Sequence, residues 1–177
     1  MAAHSYAGSV ISAPEALTDS VKALVFVAAF QQDEGESADE LNGRYPGSKL
    51  SPENLLVRSY PDGDEVYLQP EKFAEVYAAD VEPAQVAIMA AAQHPFDPTT
   101  LGGTFTGTAT WRTLPSWALI STSDVSIPTE ALRFMAERAG STVSEVDSAH
   151  AVPVAHPNEV ADLVKAAVHA ITTSTTA

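Results

Sequence analysis

Three runs of apolar residues have the length and composition of β-strands. Residues 21–30 are almost unbroken apolar sequence with β-branched and aromatic side chains, as expected of a strand covered on both faces. Residues 116–121 form the second run, which follows Pro115, and residues 141–146 form a shorter run of alternating character. We therefore expect three strands, of which the third has the weakest pattern.

Two later segments carry apolar residues at helical spacing: Leu132, Met135, Ala136 and Ala139 in the first, and Val160, Leu163, Val164, Ala167, Val168 and Ile171 in the second. The first lies between Pro128 and Gly140, and the second begins at Pro157, which is the punctuation typical of helices. The polar tail, residues 172–177, is expected to fray. Because the strands alternate with helices, the chain predicts an α/β fold with a parallel sheet.

The middle of the chain has a different character. Residues 31–68 are rich in proline, glycine and acidic residues without a strong period, and two short helices are predicted after them, opened by Pro70 and Pro83. A long insertion between two buried strands is often a lid or a substrate loop. We therefore predict one domain over residues 1–177 with a small helical cap at about residues 31–110, called the cap segment below.

Composition excludes several classes of function. The formal net charge of −14 repels phosphate backbones and anionic lipid surfaces, so we expect neither nucleic acid nor a membrane as a partner. The sequence has no apolar run of about 20 residues and no basic segment leading into an apolar one, so it shows neither a membrane span nor a secretory signal. The absence of cysteine fits a cytoplasmic protein.

One serine has the neighbours that a nucleophile on a tight turn requires. A serine on a sharp strand-to-helix turn needs small residues two positions to either side, because the turn brings the backbones together. Ser5 has Ala3 and Ala7 at these positions, with Gly8 next. The same stretch also suits a helix cap, so by itself it leaves both interpretations open.

An acid and a histidine follow the second and third predicted strands. Asp124 comes after residues 116–121, and His150 comes after residues 141–146. The carboxyl ends of parallel strands lie on the edge where such sheets place their ligands. Asp124 could instead cap a turn, and His150 could be a buried polar residue. The chain order Ser, Asp, His is nevertheless the order that α/β-hydrolases use.

Five longer stretches resemble one family. Residues 4–11, 21–30, 33–37, 127–140 and 148–152 are similar to a bacterial group of small α/β-hydrolases akin to plant hydroxynitrile lyases and salicylate-type esterases. The resemblance runs from Ala3 to about Ile171. It implies a parallel-sheet α/β-hydrolase fold that acts on a small ester or amide without a cofactor.

The resemblance also assigns roles within a catalytic triad. It implies Ser5 as the nucleophile, His150 as the general base and acid, and Asp124 as the carboxylate that orients the imidazole. The backbone N–H of Tyr6 would donate to the oxyanion. The family usually has glycine in place of Ala3 and Ala7, and a methyl group at a crowded turn is expected to displace the serine.

The family also carries further strands before its nucleophile. Their absence predicts that residues 21–30 form a sheet edge that favours aggregation or a homo-oligomer. It also predicts the loss of the second oxyanion donor, at a cost of about 10²–10³ in rate. The alternatives are therefore a non-catalytic remnant or a fragment completed by another chain.

Another alternative is a hydroxynitrile-lyase-like enzyme, which would need a lysine in the cap segment, where Lys49 and Lys72 are available. The remaining histidines, at positions 4, 94, 156 and 169, have no metal-ligand spacing, and His4 is expected to pack in the turn. Residues 33–36 suit a solvated acidic loop better than a pair of lid carboxylates. The serine hydrolase is therefore the preferred interpretation.

Overall fold

The computed structural model describes residues 1–174 of the chain. Thirteen regular elements follow in the order β1 (Ala2–Ser5), α1 (Ala7–Ser12), β2 (Leu24–Ala29), α2 (Ala38–Gly43), β3 (Leu55–Tyr60), β4 (Gly63–Leu68), α3 (Pro70–Tyr77), α4 (Pro83–Ala91), β5 (Ser116–Ser121), α5 (Thr129–Arg138), β6 (Thr142–Val146), α6 (Val152–Ala155) and α7 (Pro157–Ser174). The expected fraying of residues 172–177 is not seen at 172–174, where α7 continues, and residues 175–177 lie outside the described residues.

A parallel sheet of four strands carries the fold, in the order β1-β2-β5-β6. All residues of β2 and β5 are buried, which explains their nearly continuous apolar sequence. Helices α5 and α7 pack against β5, and α7 also packs against β2. The predicted parallel α/β fold is confirmed, and the three predicted strands and the two later helices lie where their patterns indicated.

The expectation that residues 21–30 form a sheet edge is wrong. Strand β1 pairs with β2 in parallel, with Ala2 opposite Val25 and His4 opposite Val27. Within the described residues, the edges of the sheet are β1 and β6. The four residues of β1 lack a strand-like apolar pattern, and they become a strand because β2 offers them a row of backbone partners.

The pairing of β1 with β2 is irregular at its end. The register shifts between His4 and Ser5, so that Ser5 lies opposite Ala29, and Ala28 is passed over. Ala28 has a φ of 42°, in the left-handed region that residues with a Cβ rarely adopt. Such a bulge redirects the strand beside it, and here it falls next to the candidate nucleophile.

The cap segment contains more structure than predicted. Helices α3 and α4 confirm the two short helices opened by Pro70 and Pro83. Helix α2 and the antiparallel hairpin of β3 and β4 were not predicted. The cap segment has a small apolar cluster of its own, formed by Leu68, Phe73, Val76, Ala78 and Val86 together with Ala151 from outside the segment.

Residues 33–36 form a loop in which Glu34 and Gly35 are exposed, as expected of a solvated loop, and ion pairs tie its other two carboxylates to the body of the protein. Asp33 accepts from Arg112 Nε at 3.0 Å. Glu36 pairs with Arg138 on α5. Arg138 Nη2 also donates to the Gln31 carbonyl at 2.7 Å. The ion pairs of Asp33 and Glu36 therefore hold the loop in place.

The hydropathy of the helices bears on whether any of them could cross a membrane. Within residues 1–174, none of the helices combines the length and the apolar character required to cross a bilayer.

Candidate active site

Ser5 lies on a sharp turn between β1 and α1. Its φ of 56° is in the left-handed region, which costs energy for a residue with a side chain and persists only where the surroundings enforce it. A serine on such a strained strand-to-helix turn presents its hydroxyl at the carboxyl edge of the sheet. The structure therefore places Ser5 where a nucleophile of this kind would lie.

The small residue that this turn requires is Gly8. A Cβ added to Gly8 would lie 2.1 Å from the carbonyl oxygen of Phe30, so helix α1 can approach the end of β2 only with glycine there. Ala7 is exposed, whereas Ala3 is part of the buried core. The expected crowding at Ala7 is therefore wrong, because an exposed residue has no close packing for its methyl group to disturb.

His150 connects the serine to the acid. It is 1% exposed and lies in the loop after β6. Its Nε2 is 2.8 Å from Ser5 Oγ, and its Nδ1 is 2.7 Å from Asp124 Oδ2. The three predicted residues are thus joined through both nitrogens of one imidazole, which is the geometry for moving a proton from a serine to a histidine.

Asp124 lies in the turn after β5 and is 5% exposed. Its Oδ1 accepts from the backbone N–H groups of Ser126 at 2.8 Å and Ile127 at 3.0 Å, and its Oδ2 accepts from Ser121 Oγ at 2.9 Å. Burial raises the pKa of Asp124, but the charge of His150 and these hydrogen bonds outweigh it and lower the pKa below the usual value. The carboxylate therefore caps its own turn and faces His150 as an anion.

The position of Tyr6 follows from that of Ser5. Tyr6 is the N-cap residue of α1, and its carbonyl accepts from Ser9 N at 2.9 Å. Its ring lies edge-on to Phe96, with centroids 5.7 Å apart, at the wall of the cavity described next. The role of the Tyr6 N–H as an oxyanion donor stays a prediction.

A cavity of about 260 Å³ opens above Ser5 and His150. Its polar lining includes Asn42, Tyr67, Tyr77, Gln93, His94 and Ser126. Most of the wall is apolar and is formed by Phe30, Leu50, Leu55, Val66, Leu68, Phe96, Leu101 and Ile127. Much of the wall belongs to the cap segment, so this segment shapes the space in front of the serine.

The cap segment is bonded to the loops that carry the triad. Ala151 N donates to the carbonyl of Tyr77 at 2.9 Å, next to His150. Ala149 N donates to Asp80 Oδ2 at 3.0 Å. Beside Asp124, Ser126 Oγ donates to the carbonyl of Val76 at 2.7 Å. The end of α3 therefore holds the histidine loop and the aspartate loop together.

Three of these residues, Tyr77, Asp80 and Ser126, were not singled out from the sequence. Each acts through a contact between residues at least 50 positions apart, and no local motif announces such a contact. The ring of Tyr77 meets the imidazole of His150 edge-on, with centroids 4.9 Å apart. In the sequence, Tyr77 is marked only by its position at the end of a helix opened by Pro70.

The other histidines lie in separate places. His4 Nε2 is 2.8 Å from the carbonyl of His150, so His4 contacts the base rather than only packing in the turn. His94 lines the cavity, His156 lies 3.5 Å from Asp80, and His169 is exposed on α7. Residues 1–174 contain no cluster of three or more histidines and carboxylates suited to a metal ion.

A parallel sheet with a serine at a strand-to-helix turn, and an acid and a histidine at later strand ends, is the arrangement typical of α/β-hydrolases. A family model described as the alpha/beta hydrolase family matches residues 1–163. The chain therefore belongs to the alpha/beta hydrolase family. No curated protein sequence matches the chain significantly.

Solved structures agree in fold. Polyneuridine aldehyde esterase is 19% identical with a TM-score of 0.73, and the match covers 93% of this chain and 69% of that one. A methylesterase from Arabidopsis is 16% identical with a TM-score of 0.72, covering 93% and 67%. An extracellular alpha/beta-hydrolase from a Paenibacillus species is 20% identical with a TM-score of 0.69, covering 94% and 70%. At these identities the likeness establishes the fold, and the substrates named for those proteins are theirs.

Proposed function

We propose that this protein is a serine hydrolase that cleaves a small ester, or a small amide, through Ser5, His150 and Asp124. The observation that carries the proposal is the unbroken hydrogen-bonded chain from Ser5 Oγ through both nitrogens of His150 to Asp124 Oδ2. A buried carboxylate and imidazole facing a serine hydroxyl at the base of a cavity are the parts that acyl transfer needs.

The first half of the reaction forms an acyl-enzyme. Ser5 Oγ attacks the substrate carbonyl carbon while His150 Nε2 takes the hydroxyl proton, and Asp124 stabilises the imidazolium that results. The backbone N–H of Tyr6 stabilises the oxyanion. When the intermediate collapses, the bond to the leaving group breaks and His150 gives its proton to the departing alcohol or amine.

The second half repeats these roles with water. His150 Nε2 takes a proton from water as the oxygen attacks the acyl carbon, and it returns that proton to Ser5 Oγ as the acid product leaves. The triad and the oxyanion donor supply the chemistry from the chain's own residues.

The cavity supports a compact and uncharged substrate. Within the described residues, its lining contains no lysine, arginine, aspartate or glutamate. An apolar wall favours apolar groups on the substrate by burying their surface. Two of the three structures compared above carry the word esterase in their names, which favours an ester over an amide.

The lyase alternative has less support. It requires a lysine in the cap segment near the leaving group, but Lys49 Nζ and Lys72 Nζ both contact Glu75, at 2.7 and 3.3 Å, and neither lines the cavity. The idea of a non-catalytic remnant is weakened by the triad geometry, which this chain assembles by itself. A second oxyanion donor is not assigned among residues 1–174, and a partner chain could supply it.

Labelling with a fluorophosphonate tests the proposal. The reagent should modify Ser5 in the parent and should fail in Ser5→Ala and His150→Ala. Ser9→Ala is the matched control, because Ser9 is a buried serine of α1 outside the triad. Hydrolysis of short p-nitrophenyl esters should follow the same pattern. Equal labelling or hydrolysis in the parent and Ser5→Ala would remove Ser5 from the nucleophile role.

A further inference from the structure

His4 is a half-buried imidazole that the proposed reaction does not use. It precedes Ser5 on β1, and its Nε2 lies 2.8 Å from the carbonyl oxygen of His150. A carbonyl oxygen only accepts hydrogen bonds, so His4 must carry a proton on Nε2 and donate it. This hydrogen bond links the strand of the nucleophile to the loop of the general base.

Ring contacts fix the plane of His150 from two sides. The His4 and His150 ring centroids are 4.8 Å apart with a tilt of 42°. Tyr77 meets the rings of both histidines edge-on, with centroids 4.9 Å from His150 and 6.2 Å from His4. The two nitrogens of His150 face Ser5 and Asp124, so its ring has partners at its nitrogens and against its surface.

The charge state of His4 suits this place. Its pKa is lowered from 6.5 to about 4, first by burial and then by the charge of His150, whereas the His150 carbonyl and Asp124 act in the opposite direction. At neutral pH, His4 therefore donates its hydrogen bond without a charge. A cation there would repel the imidazolium that forms on His150 during the reaction.

We propose that His4 is a positioning residue, which holds the backbone and ring plane of His150 so that its two nitrogens stay aligned with Asp124 and Ser5. The inference rests on the proposed serine-hydrolase function. His4 does not line the cavity, so it acts through His150 rather than on the substrate. This role requires residue 4 to present an uncharged hydrogen-bond donor where His4 Nε2 lies.

Three substitutions separate the parts of this requirement. His4→Gln places a neutral N–H donor near the position of Nε2. His4→Phe keeps a ring against His150 without a donor. His4→Lys keeps a donor but adds a positive charge beside the base.

Steady-state kinetics on a short p-nitrophenyl ester give the first readout. His4→Phe should lose about 10²-fold in kcat with KM unchanged, because misalignment of a catalytic group acts on the chemical step. His4→Gln should recover most of that loss, and His4→Lys should not. His169→Phe, on the exposed face of α7, is the matched control and should resemble the parent.

Two kinetic outcomes would overturn the role of His4. One is a kcat for His4→Phe equal to that of the parent. The other is an equal loss in His4→Phe and His4→Gln, which would indicate packing alone. If His4→Phe does not melt cooperatively, His4→Asn replaces it, because its shorter amide cannot reach the carbonyl of His150.

A second readout does not depend on turnover. In a ¹⁵N NMR titration of the histidines, one imidazole of the parent should stay in the neutral Nε2–H form until the pH falls near 4. An assigned His4 that titrates near its ordinary value of 6.5 would also overturn the inference. A parent without labelling at Ser5 would contradict the proposed function, whereas an active parent with an equally active His4→Phe would contradict only the role of His4.

Discussion

Gly8 and Phe30 are in contact through their backbones, at the point where helix α1 crosses the end of β2. A Cβ on Gly8 would lie 2.1 Å from the Phe30 carbonyl oxygen and 2.9 Å from the Ala29 Cβ. Neither atom can move away cheaply, because Phe30 N donates to the Ser5 carbonyl at 3.2 Å. The same contact therefore fixes both the helix and the serine turn.

Gly8→Ala should destabilise the protein. An ordinary glycine-to-alanine change in a helix stabilises it by up to about 1 kcal/mol, but forced overpacking costs about 1–3 kcal/mol and reverses the sign here. Gly43→Ala is the matched control, because a Cβ at that helical position meets nothing within 4 Å. Urea unfolding should show a lower midpoint for Gly8→Ala only. Equal midpoints for the two variants would contradict the close contact.

Asp124→Asn should reduce kcat by about 10⁴ while the protein stays folded. The asparagine can still accept hydrogen bonds in the turn, but it no longer holds His150 in the tautomer that presents a bare Nε2 to Ser5. Asp147→Asn is the control, because Asp147 is exposed and bonds Ser123 Oγ at 2.7 Å. A slow Asp147→Asn together with a fast Asp124→Asn in the ester assay would move the acid to Asp147.

His4 should make the stability of the protein depend on pH. Its pKa is about 4 in the folded state and 6.5 as the ordinary value, so between these the unfolded chain binds the extra proton. The free energy of unfolding should therefore fall as the pH drops from 6.5 to about 4, by on the order of 3 kcal/mol. Asp124 acts in the same sense at lower pH: its pKa is also lowered in the fold, so its carboxylate supports the fold throughout this window, and that support is lost only as the pH falls further. Urea unfolding at several pH values should show a flatter profile for His4→Gln, and an equal slope in both proteins would count against a buried neutral His4.

We propose that copies of this chain associate through the open edge of β1. Val25 N donates to the Met1 carbonyl, and Phe30 N donates to the Ser5 carbonyl. Alternate residues of a strand direct their backbone groups to the same side, so Ala3 faces β2 while Ala2 and His4 face the open side.

Ala2→Pro should therefore remove an outward donor and weaken the association, since proline is tolerated at a strand edge. Ala3→Pro removes a donor that faces β2 and should instead destabilise the sheet. Size-exclusion chromatography over a range of concentrations is the measurement. A parent that stays monomeric throughout, or an Ala2→Pro variant that associates equally, would exclude this edge as the interface.

Those parts of the fold with a strong local pattern could be predicted from the sequence. β5 spans the predicted residues 116–121, because Pro115 precedes a run that is apolar enough to be buried throughout. The hairpin of the cap segment was missed although Asp62 and Gly63 carry a turn signal, because its strands are mostly exposed and lack a clear apolar face. β1 was missed because pairing with β2, rather than its own composition, makes it a strand.

The site divides in the same way. Ser5, Asp124 and His150 were identified by small neighbours, strand-end positions and chain order, which are local or ordinal features. The contact of His4 with His150 and that of Asp80 with Ala149 join residues 146 and 69 positions apart. Such contacts depend on how the sheet and the cap segment assemble, and neither residue has a flanking motif that reports it.

The three hydrogen bonds between the end of α3 and the histidine and aspartate loops also limit how the cavity can open to solvent. Swinging α3 outward would break the bonds at Val76, Tyr77 and Asp80, at about 1 kcal/mol each, and would release His150 and Asp124 from their supports. A form with α3 swung outward would therefore lack the alignment that catalysis needs. Movements of side chains near exposed cavity residues such as His94 would admit molecules and leave these three hydrogen bonds intact.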